Sequence, residues 1–319
     1  MHVVVTGADG FVGRALARRL LDDGSLGSRP IERLTLLDVR FGEPASGTVA
    51  RHLTGSIADA ALVRSAFEPP VDVVFHLASI PGGTAEQRYE LGRDVNLRGT
   101  EHLLEQGRAH AEGGGAAPVF VFASSIAVFG SPLPPRVDDA TPLSPQMTYG
   151  AQKVVGEVLV SDFSRRGWAD GRSLRLPGVV ARPPAPTGQL SAFMSDIFRE
   201  LAAGRPFTCP TSPQATTWAS SLRNVVDNLL HGATIPADSL AGRRVFTLPT
   251  LHFGFGELVE AIAQVHGPAA RGLVTWAPDA RIERLFGSFP PLTTAAADAA
   301  GFRSDGNLET LVRRALEPG

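Results

Sequence analysis

The sequence predicts an α/β fold: a doubly wound parallel Rossmann sheet with a smaller C-terminal substrate-binding portion. Three observations predict it. Short apolar runs alternate with amphipathic stretches through the first half of the chain, the pattern of a parallel sheet covered by helices on both faces. Three glycines fall at the first strand-to-helix turn, where such folds bind dinucleotides. A tyrosine and a lysine stand four residues apart beyond the fourth predicted strand.

The strands come first. His2–Val5, Arg33–Leu37, Val71–His76 and Val119–Phe122 are rich in valine and leucine and too short for helices. Between them, Gly13–Leu21 and Glu101–Gln106 have helical composition, and Ala60–Ala66 follows Asp59, a suitable N-cap. Gly113-Gly114-Gly115 reads as a surface turn. Ser131–Pro145 carries prolines at 132, 134, 135, 142 and 145 and cannot be a regular element. A second proline-rich stretch, Arg182–Thr187, follows the predicted strand Ser173–Leu176. Residues 1–177 therefore read as the dinucleotide-binding domain and 178–319 as mainly the substrate-binding portion. Arg244–Leu248 reads as a late strand returning to the main sheet near 243–250, so the two parts interleave.

Composition narrows the function. The 319 residues suffice for one large domain or two medium ones. With 43% hydrophobic and 19% charged residues the chain is of ordinary globular type. A net charge of -2 argues against a broad basic surface for nucleic acid or an anionic membrane. The lone Cys209 rules out an intrachain disulfide and reads as a small buried residue. The eight histidines show no metal-ligand spacing, so no metal is expected, and His76, at a strand end, reads as structural. No apolar run approaches the roughly 20 residues that span a bilayer. The chain runs from Met1 straight into a strand, so no signal peptide is expected and the cytoplasm is the expected location.

The glycine turn is Gly7-Ala8-Asp9-Gly10-Phe11-Val12-Gly13. Glycines there let the main chain approach a pyrophosphate, whose charge the helix N-terminus favours. The alternative is a plain glycine-rich turn. At the end of the second strand, Asp38 stands where a carboxylate would accept the ribose hydroxyls of NAD and repel the 2′-phosphate of NADP. Arg40, two residues on, softens that preference.

Tyr149 and Lys153 lie on one face, one turn apart, if a helix begins near Thr148. A free tyrosine, with a pKa of about 10, is a poor base at neutral pH. A neighbouring ammonium stabilises the phenolate, so Tyr149 can exchange a proton with a substrate hydroxyl. Lys153 can also reach the nicotinamide ribose. Ser124-Ser125 closes the fourth strand, where a hydroxyl can orient the substrate oxygen.

On these motifs the chain resembles the extended short-chain dehydrogenase/reductases, the NAD-dependent epimerase/dehydratase family. The likeness runs through Thr6–Gly13, His76-Leu77-Ala78, Asp94–Thr100, Ser124-Ser125, Tyr149/Lys153 and Leu176-Pro177. It implies that Ser125, Tyr149 and Lys153 are catalytic and that NAD lies on Gly7, Gly10, Phe11, Val12, Gly13 and Asp38. It also implies contacts from Leu77, Ala78 and Ser79, from Asn96 near the nicotinamide, and from Pro177, Val179 and Val180 at that end. Ser56-Ile57 falls where the family often has Asp-Ile at the adenine. Phe255–Val265, Ala295–Phe302 and Leu308–Leu316 resemble the family's closing segment.

The family's nucleotide-sugar enzymes usually carry an arginine before the helix corresponding to Asn224–Leu230; Thr216–Ser220 has none. Its dehydratases commonly have Thr-Asp-Glu where this chain has Ser125-Ile126-Ala127. Both departures favour a smaller substrate. Phe120–Gly130, Ser131–Pro135, Asp162–Gly167, Ile197–Glu200 and Thr217–Ser221 resemble the D-erythronate dehydrogenase subgroup. That likeness implies NAD-dependent oxidation of a four-carbon sugar acid at C2. A carboxylate substrate needs a cationic or donor-rich clamp, for which Arg199 is the candidate; Thr84, Thr217 and Trp218 are candidates for pocket lining. The competing readings are a nucleotide-sugar epimerase that retains its NAD, a reductase of small carbonyl compounds, and a non-catalytic dinucleotide sensor. Family members often dimerise through the Tyr/Lys helix and the helix near Asn96–Gln106, so a homodimer is expected.

Overall fold

The computed structural model describes residues 1–42, 45–184, 190–240 and 242–317. The chain divides into two compact units. The first takes Met1–Gly130, Leu143–Leu176 and Val226–Thr247; the second takes Ser131–Pro142, Pro177–Val225 and Leu248–Gly319.

The first unit is built on a seven-stranded parallel sheet among the described residues. Its strands, in spatial order, are Val245–Thr247, Asp170–Leu176, Val119–Ser125, Val73–His76, His2–Thr6, Arg33–Asp38 and Ala50–Thr54. The chain leaves the first strand in one direction through Arg33–Asp38 and Ala50–Thr54. It then crosses back to add Val73–His76 on the other side. This reversal creates the crevice beyond the strand ends where dinucleotides bind in doubly wound sheets.

The central strands are buried along almost their whole length because helices cover both faces, which is why they read as apolar runs. Val4, Leu37, Val74, Phe120 and Phe122 join the helix residues Leu103 and Val160 in one core cluster. Ala50–Thr54 carries Arg51 and His52 and is only half-buried. It has one neighbour, Arg33–Asp38, so its apolar pattern is diluted. Sequence patterning alone did not reveal that edge strand.

The helices start and stop where local chemistry allows. Phe11–Asp23 begins two residues ahead of the expected Gly13 and ends at Gly24, whose φ of 61° is left-handed. Ala60–Ala66 has the expected boundaries, and the Asp59 carboxylate accepts the N–H groups of Ala61 and Leu62. Gly99–Glu112 is longer than the Glu101–Gln106 core that composition marked. It is preceded by a π-helical turn at Asp94–Arg98, a distortion often found at functional sites.

The second unit holds a three-stranded sheet in the order Leu251–Gly254, Thr216–Ser221, Gly178–Val180. Phe207–Cys209 and Val274–Trp276 form a separate parallel pair. Its core joins Ile197, Phe198, Phe255, Ile262 and Leu311 with the fully buried Cys209. The C-terminal helices are Phe255–His266, Ala295–Ala299 and Leu308–Ala315. The middle one stops before the expected Phe302, ahead of Gly301 with φ 92°. Positions 185–187 of the proline-rich stretch lie outside the described residues. Among the described residues no helix is long and apolar enough to cross a membrane.

Candidate active site

The glycine turn is a cradle that a Cβ would fill. Gly7 has φ 69°, and a Cβ there would sit 2.7 Å from the Ala78 nitrogen. A Cβ on Gly13 would lie 2.0 Å from the Gly7 carbonyl oxygen, which only glycine tolerates. Gly10 begins the Phe11–Asp23 helix without a side-chain cap. Phe11 and Val12 form the first turn, where the positive end of the helix dipole favours an anion. A helix N-terminus beside closely approaching backbone is what a pyrophosphate requires.

Asp38 closes the second strand beside this turn. Its Oδ2 accepts the Asp9 N–H at 2.8 Å and its Oδ1 accepts the Val39 N–H at 2.7 Å. Next to the first strand, Leu77 donates its N–H to the Thr6 carbonyl, and Ala78 donates to the Thr6 hydroxyl. These bonds place 77–79, including Ser79, at the strand end facing the turn. Ser56 accepts the Ala58 N–H, whereas the Ile57 side chain is buried against Gly99. That side chain belongs to the core of the first unit, and the Ile57 carbonyl bonds the His102 ring at 3.1 Å.

The Tyr/Lys helix spans Thr148–Arg165. It docks closely on the turn after the strand Val119–Ser125, because a Cβ on Gly150 would lie 2.5 Å from the Ala127 carbonyl oxygen. The Glu86 carboxylate accepts the Thr148 N–H at 2.9 Å, tying the Gly82–Gln87 helix and its half-buried Thr84 to the same end. Lys153 is 3% exposed; its Nζ donates to the Ala123 carbonyl at 2.7 Å and lies 5.5 Å from the Tyr149 ring centroid. Burial pushes its pKa down to about 7, with the Glu157 carboxylate pulling the other way.

The two serines part company at the strand end. Ser124 is buried and donates to Glu157 Oε1 at 2.6 Å. Ser125, on the opposite side of the pleat, is half-buried and accepts the Ala127 N–H at 3.2 Å. Alternation alone thus singles out Ser125 as the hydroxyl left for a ligand.

Behind the site lie Asn96 and His76, which the motifs named, and Gln152 and Glu157, which motif reading missed. Asn96 is buried and clamped, with Oδ1 accepting the Ile80 N–H and Nδ2 donating to the Ile80 carbonyl and to Gln152 Oε1. Asn96 therefore braces 77–80 against the Tyr/Lys helix. Glu157 takes both oxygens to the Arg175 guanidinium at 2.8 Å as well as to Ser124. The signal for Glu157 was its spacing, four residues beyond Lys153 on the same helix face. His76 is enclosed between the Thr6 and Thr100 hydroxyls, each at 2.8 Å. Burial and the Lys153 charge hold its pKa well below the usual imidazole range, so it is a neutral structural residue.

The remaining candidates belong to the second unit. Pro177 precedes the strand Gly178–Val180, whose Val179 and Val180 pair with Ser220 and Ser221. Arg199 is paired to the Asp196 carboxylate and donates to the Arg182 carbonyl, so the expected clamp is already engaged within its unit. Thr217 is buried, with no partner for its hydroxyl among the described residues. Trp218 is 1% exposed and its indole N–H donates to the Pro290 carbonyl at 2.7 Å. Its ring packs edge-on against Phe289, with the centroids 4.9 Å apart.

The profile of the "NAD dependent epimerase/dehydratase family" matches residues 3–220. A D-erythronate dehydrogenase of Cupriavidus necator is 41% identical over 322 residues, covering 99% of this chain and 98% of that protein. A D-erythronate dehydrogenase of Haemophilus influenzae is 32% identical, covering 99% of each. The crystal structure of a nucleoside-diphosphate-sugar epimerase from Agrobacterium tumefaciens superimposes with a TM-score of 0.91 at 36% identity, over 98% of this chain and 92% of that one. An L-threonine dehydrogenase from Clostridium difficile, 20% identical with a TM-score of 0.85, shares the fold. With its glycine cradle, parallel sheet and full-length relatives, this chain belongs to the NAD-dependent epimerase/dehydratase family.

Proposed function

We propose that the protein is an NAD-dependent dehydrogenase that oxidises D-erythronate at C2 to the 2-oxo acid. One observation carries the chemistry: a buried ammonium, Lys153, is fixed by a backbone carbonyl beside the Tyr149 ring, with the Ser125 hydroxyl at the neighbouring strand end. The substrate assignment is supported by the full-length likeness to two D-erythronate dehydrogenases.

Gly7, Gly10, Phe11, Val12 and Gly13 hold the coenzyme pyrophosphate, Asp38 its adenosine ribose, and 77–79 its flank. Bound NAD supplies the two-electron acceptor for the hydrogen at C2. Tyr149, as phenolate, takes the proton of the C2 hydroxyl while the C2–H bond breaks. Lys153 favours the phenolate by its charge. Ser125 donates to the same oxygen and fixes its direction, the role of a preorganised donor where charge changes. Asn96 and Gln152 keep the helix and the 77–80 segment in register. Thr84 stands at the open end of the Tyr/Lys helix as a pocket residue.

A second reading, epimerisation with retained NAD, is favoured by the likeness to the Agrobacterium tumefaciens protein. The two separate in one assay: purified enzyme and NAD with a panel of C4–C6 sugar acids and nucleotide sugars, followed by NADH absorbance and by chromatography of the sugar products. Sustained NADH formation with D-erythronate, lost in Tyr149→Phe, supports the dehydrogenase; conversion of a nucleotide sugar without net NADH overturns it. Homodimerisation through the Tyr/Lys helix is supported by Val155 and Val158, which are 43% and 63% exposed on that helix. A cytoplasmic location fits an enzyme that draws on the free pool of NAD and NADH.

A further inference from the structure

We propose that Asp9 is a second specificity-determining carboxylate for the coenzyme. It acts with Asp38 against a 2′-phosphate and occupies Arg14, a cation otherwise placed to pair with one. The inference rests on the assignment of Asp38 to the adenosine ribose.

Asp9 lies inside the glycine turn, and its own N–H is the group that Asp38 Oδ2 accepts at 2.8 Å. The two carboxylates therefore share one short stretch of backbone. The Asp9 side chain is held from two further directions: Oδ2 accepts the Gly42 N–H at 3.2 Å, and Oδ1 accepts from Arg14 Nη2 at 2.9 Å. The same Arg14 nitrogen also donates to the Asp9 carbonyl at 3.3 Å. Asp9 thus closes the loop that follows Asp38 onto the turn. Its carboxylate is only 11% exposed, so its direction is fixed and its charge is poorly screened by water.

Arg14 is the consequential partner. It sits on the first turn of the Phe11–Asp23 helix, with its N–H on the Gly10 carbonyl. Its Nε is buried with no hydrogen-bond partner among the described residues. A guanidinium with a donor unspent, at the end of a helix that attracts anions, is a natural phosphate ligand. While Asp9 holds it, its charge is cancelled locally. A 2′-phosphate, carrying up to two negative charges, would meet Asp38 and Asp9 together, with exposed Arg40 two residues beyond Asp38. Replacing Asp38 alone leaves Asp9 both repelling the phosphate and occupying Arg14. Replacing both frees the guanidinium.

The test is direct binding, read as fluorescence of NADH and of NADPH titrated with the full-length protein in low salt. Wild type, Asp38→Ser, Asp38→Ser/Asp9→Asn, and that double variant with Arg14→Ala are compared, with the melting temperature of each recorded. Asn at position 9 keeps the shape and an acceptor for Gly42. Asp38→Ser is expected to relax the preference for NADH. Adding Asp9→Asn is expected to raise the NADPH-to-NADH affinity ratio by about tenfold more, the worth of one charge-assisted hydrogen bond. Arg14→Ala is expected to take back the part of that gain owed to the freed guanidinium and leave the smaller part owed to the removed repulsion, and Asp38→Ser/Asp9→Glu, which keeps the charge, to stay at the level of Asp38→Ser. The proposal is overturned if Asp9→Asn leaves the Asp38→Ser ratio unchanged, or if the whole gain survives Arg14→Ala. If Asp38→Ser alters the binding of neither coenzyme, the assignment of Asp38 to the ribose fails, and the inference falls with it.

Discussion

Lys153 is held in a place that costs stability, and replacing it with methionine exposes that cost. In the coenzyme-free protein its pKa falls from the usual 10.5 to about 7 because the ammonium is buried. A displacement of that size corresponds to roughly 5 kcal/mol of destabilisation by the charged form at low pH. Methionine removes the charge but leaves the Ala123 carbonyl, which Lys153 Nζ meets at 2.7 Å, without its donor, a loss of about 1–3 kcal/mol. Lys153→Met should therefore be more stable than wild type at pH 6 by about 2–4 kcal/mol, while losing catalysis. The pH dependence carries the sharper test. Between about pH 7 and 10.5 the unfolded chain keeps the lysine proton that the folded protein releases, so wild-type stability rises with pH in that window. The advantage of the variant should shrink by about 2–3 kcal/mol between pH 7 and 9. Urea unfolding of both proteins at pH 6, 7, 8 and 9 measures the difference, in which titrations common to both cancel. An advantage that stays constant across this range would show that Lys153 keeps its proton in the folded protein up to pH 9.

Other consequences follow from the same geometry. Glu157→Gln leaves the Arg175 guanidinium, 12% exposed, without its anion. A loss of about 3–5 kcal/mol in stability is expected, together with a further fall in the Lys153 pKa, seen as a displaced limb in the pH–rate profile; an unmoved limb would show that Glu157 does not reach Lys153 electrostatically. Gly13→Ala forces a Cβ to within 2.0 Å of the Gly7 carbonyl and should abolish NADH binding in a fluorescence titration. Gly83→Ala, with nothing within 4 Å of the new methyl, should bind normally, and equal loss in both would contradict the cradle. Val155→Lys/Val158→Lys is expected to give monomers in sedimentation velocity if the Tyr/Lys helix is the dimer face; dimers that persist would exclude it.

The parts of the fold legible in the sequence are those whose physics is local. Strands sealed between two helical layers must be apolar throughout, so His2–Thr6 and Val73–His76 are visible as composition. A helix cap such as Asp59 announces itself within three residues. The glycine turn is legible because close backbone approach forbids any other residue at Gly7 and Gly13. What escaped depends on contacts between distant positions. Asn96 and Gln152 are joined across 56 residues and Glu157 and Arg175 across 18, and no periodicity encodes either pair. Asp9 passes for a spacer in the glycine motif until its bonds to Arg14 and Gly42 are seen. Trp218 and Arg199 were chosen for their chemistry, and chemistry does not report whether a side chain already has a partner. Trp218 is committed to Pro290 and Arg199 to Asp196 and Arg182. The division of labour between Ser124 and Ser125 is intermediate. It follows from strand alternation once the strand is known to run to Ser125, three residues beyond the apolar core that marked it.

If the enzyme breaks the C2–H bond of a four-carbon sugar acid while Tyr149 takes the hydroxyl proton, D-erythronate carrying deuterium at C2 reveals it. The NADH formed should carry deuterium on its nicotinamide ring and form more slowly than from the unlabelled acid when chemistry limits turnover, and Tyr149→Phe should bind NADH but yield almost none from NAD. NADH free of deuterium, or undiminished turnover by Tyr149→Phe, would contradict it.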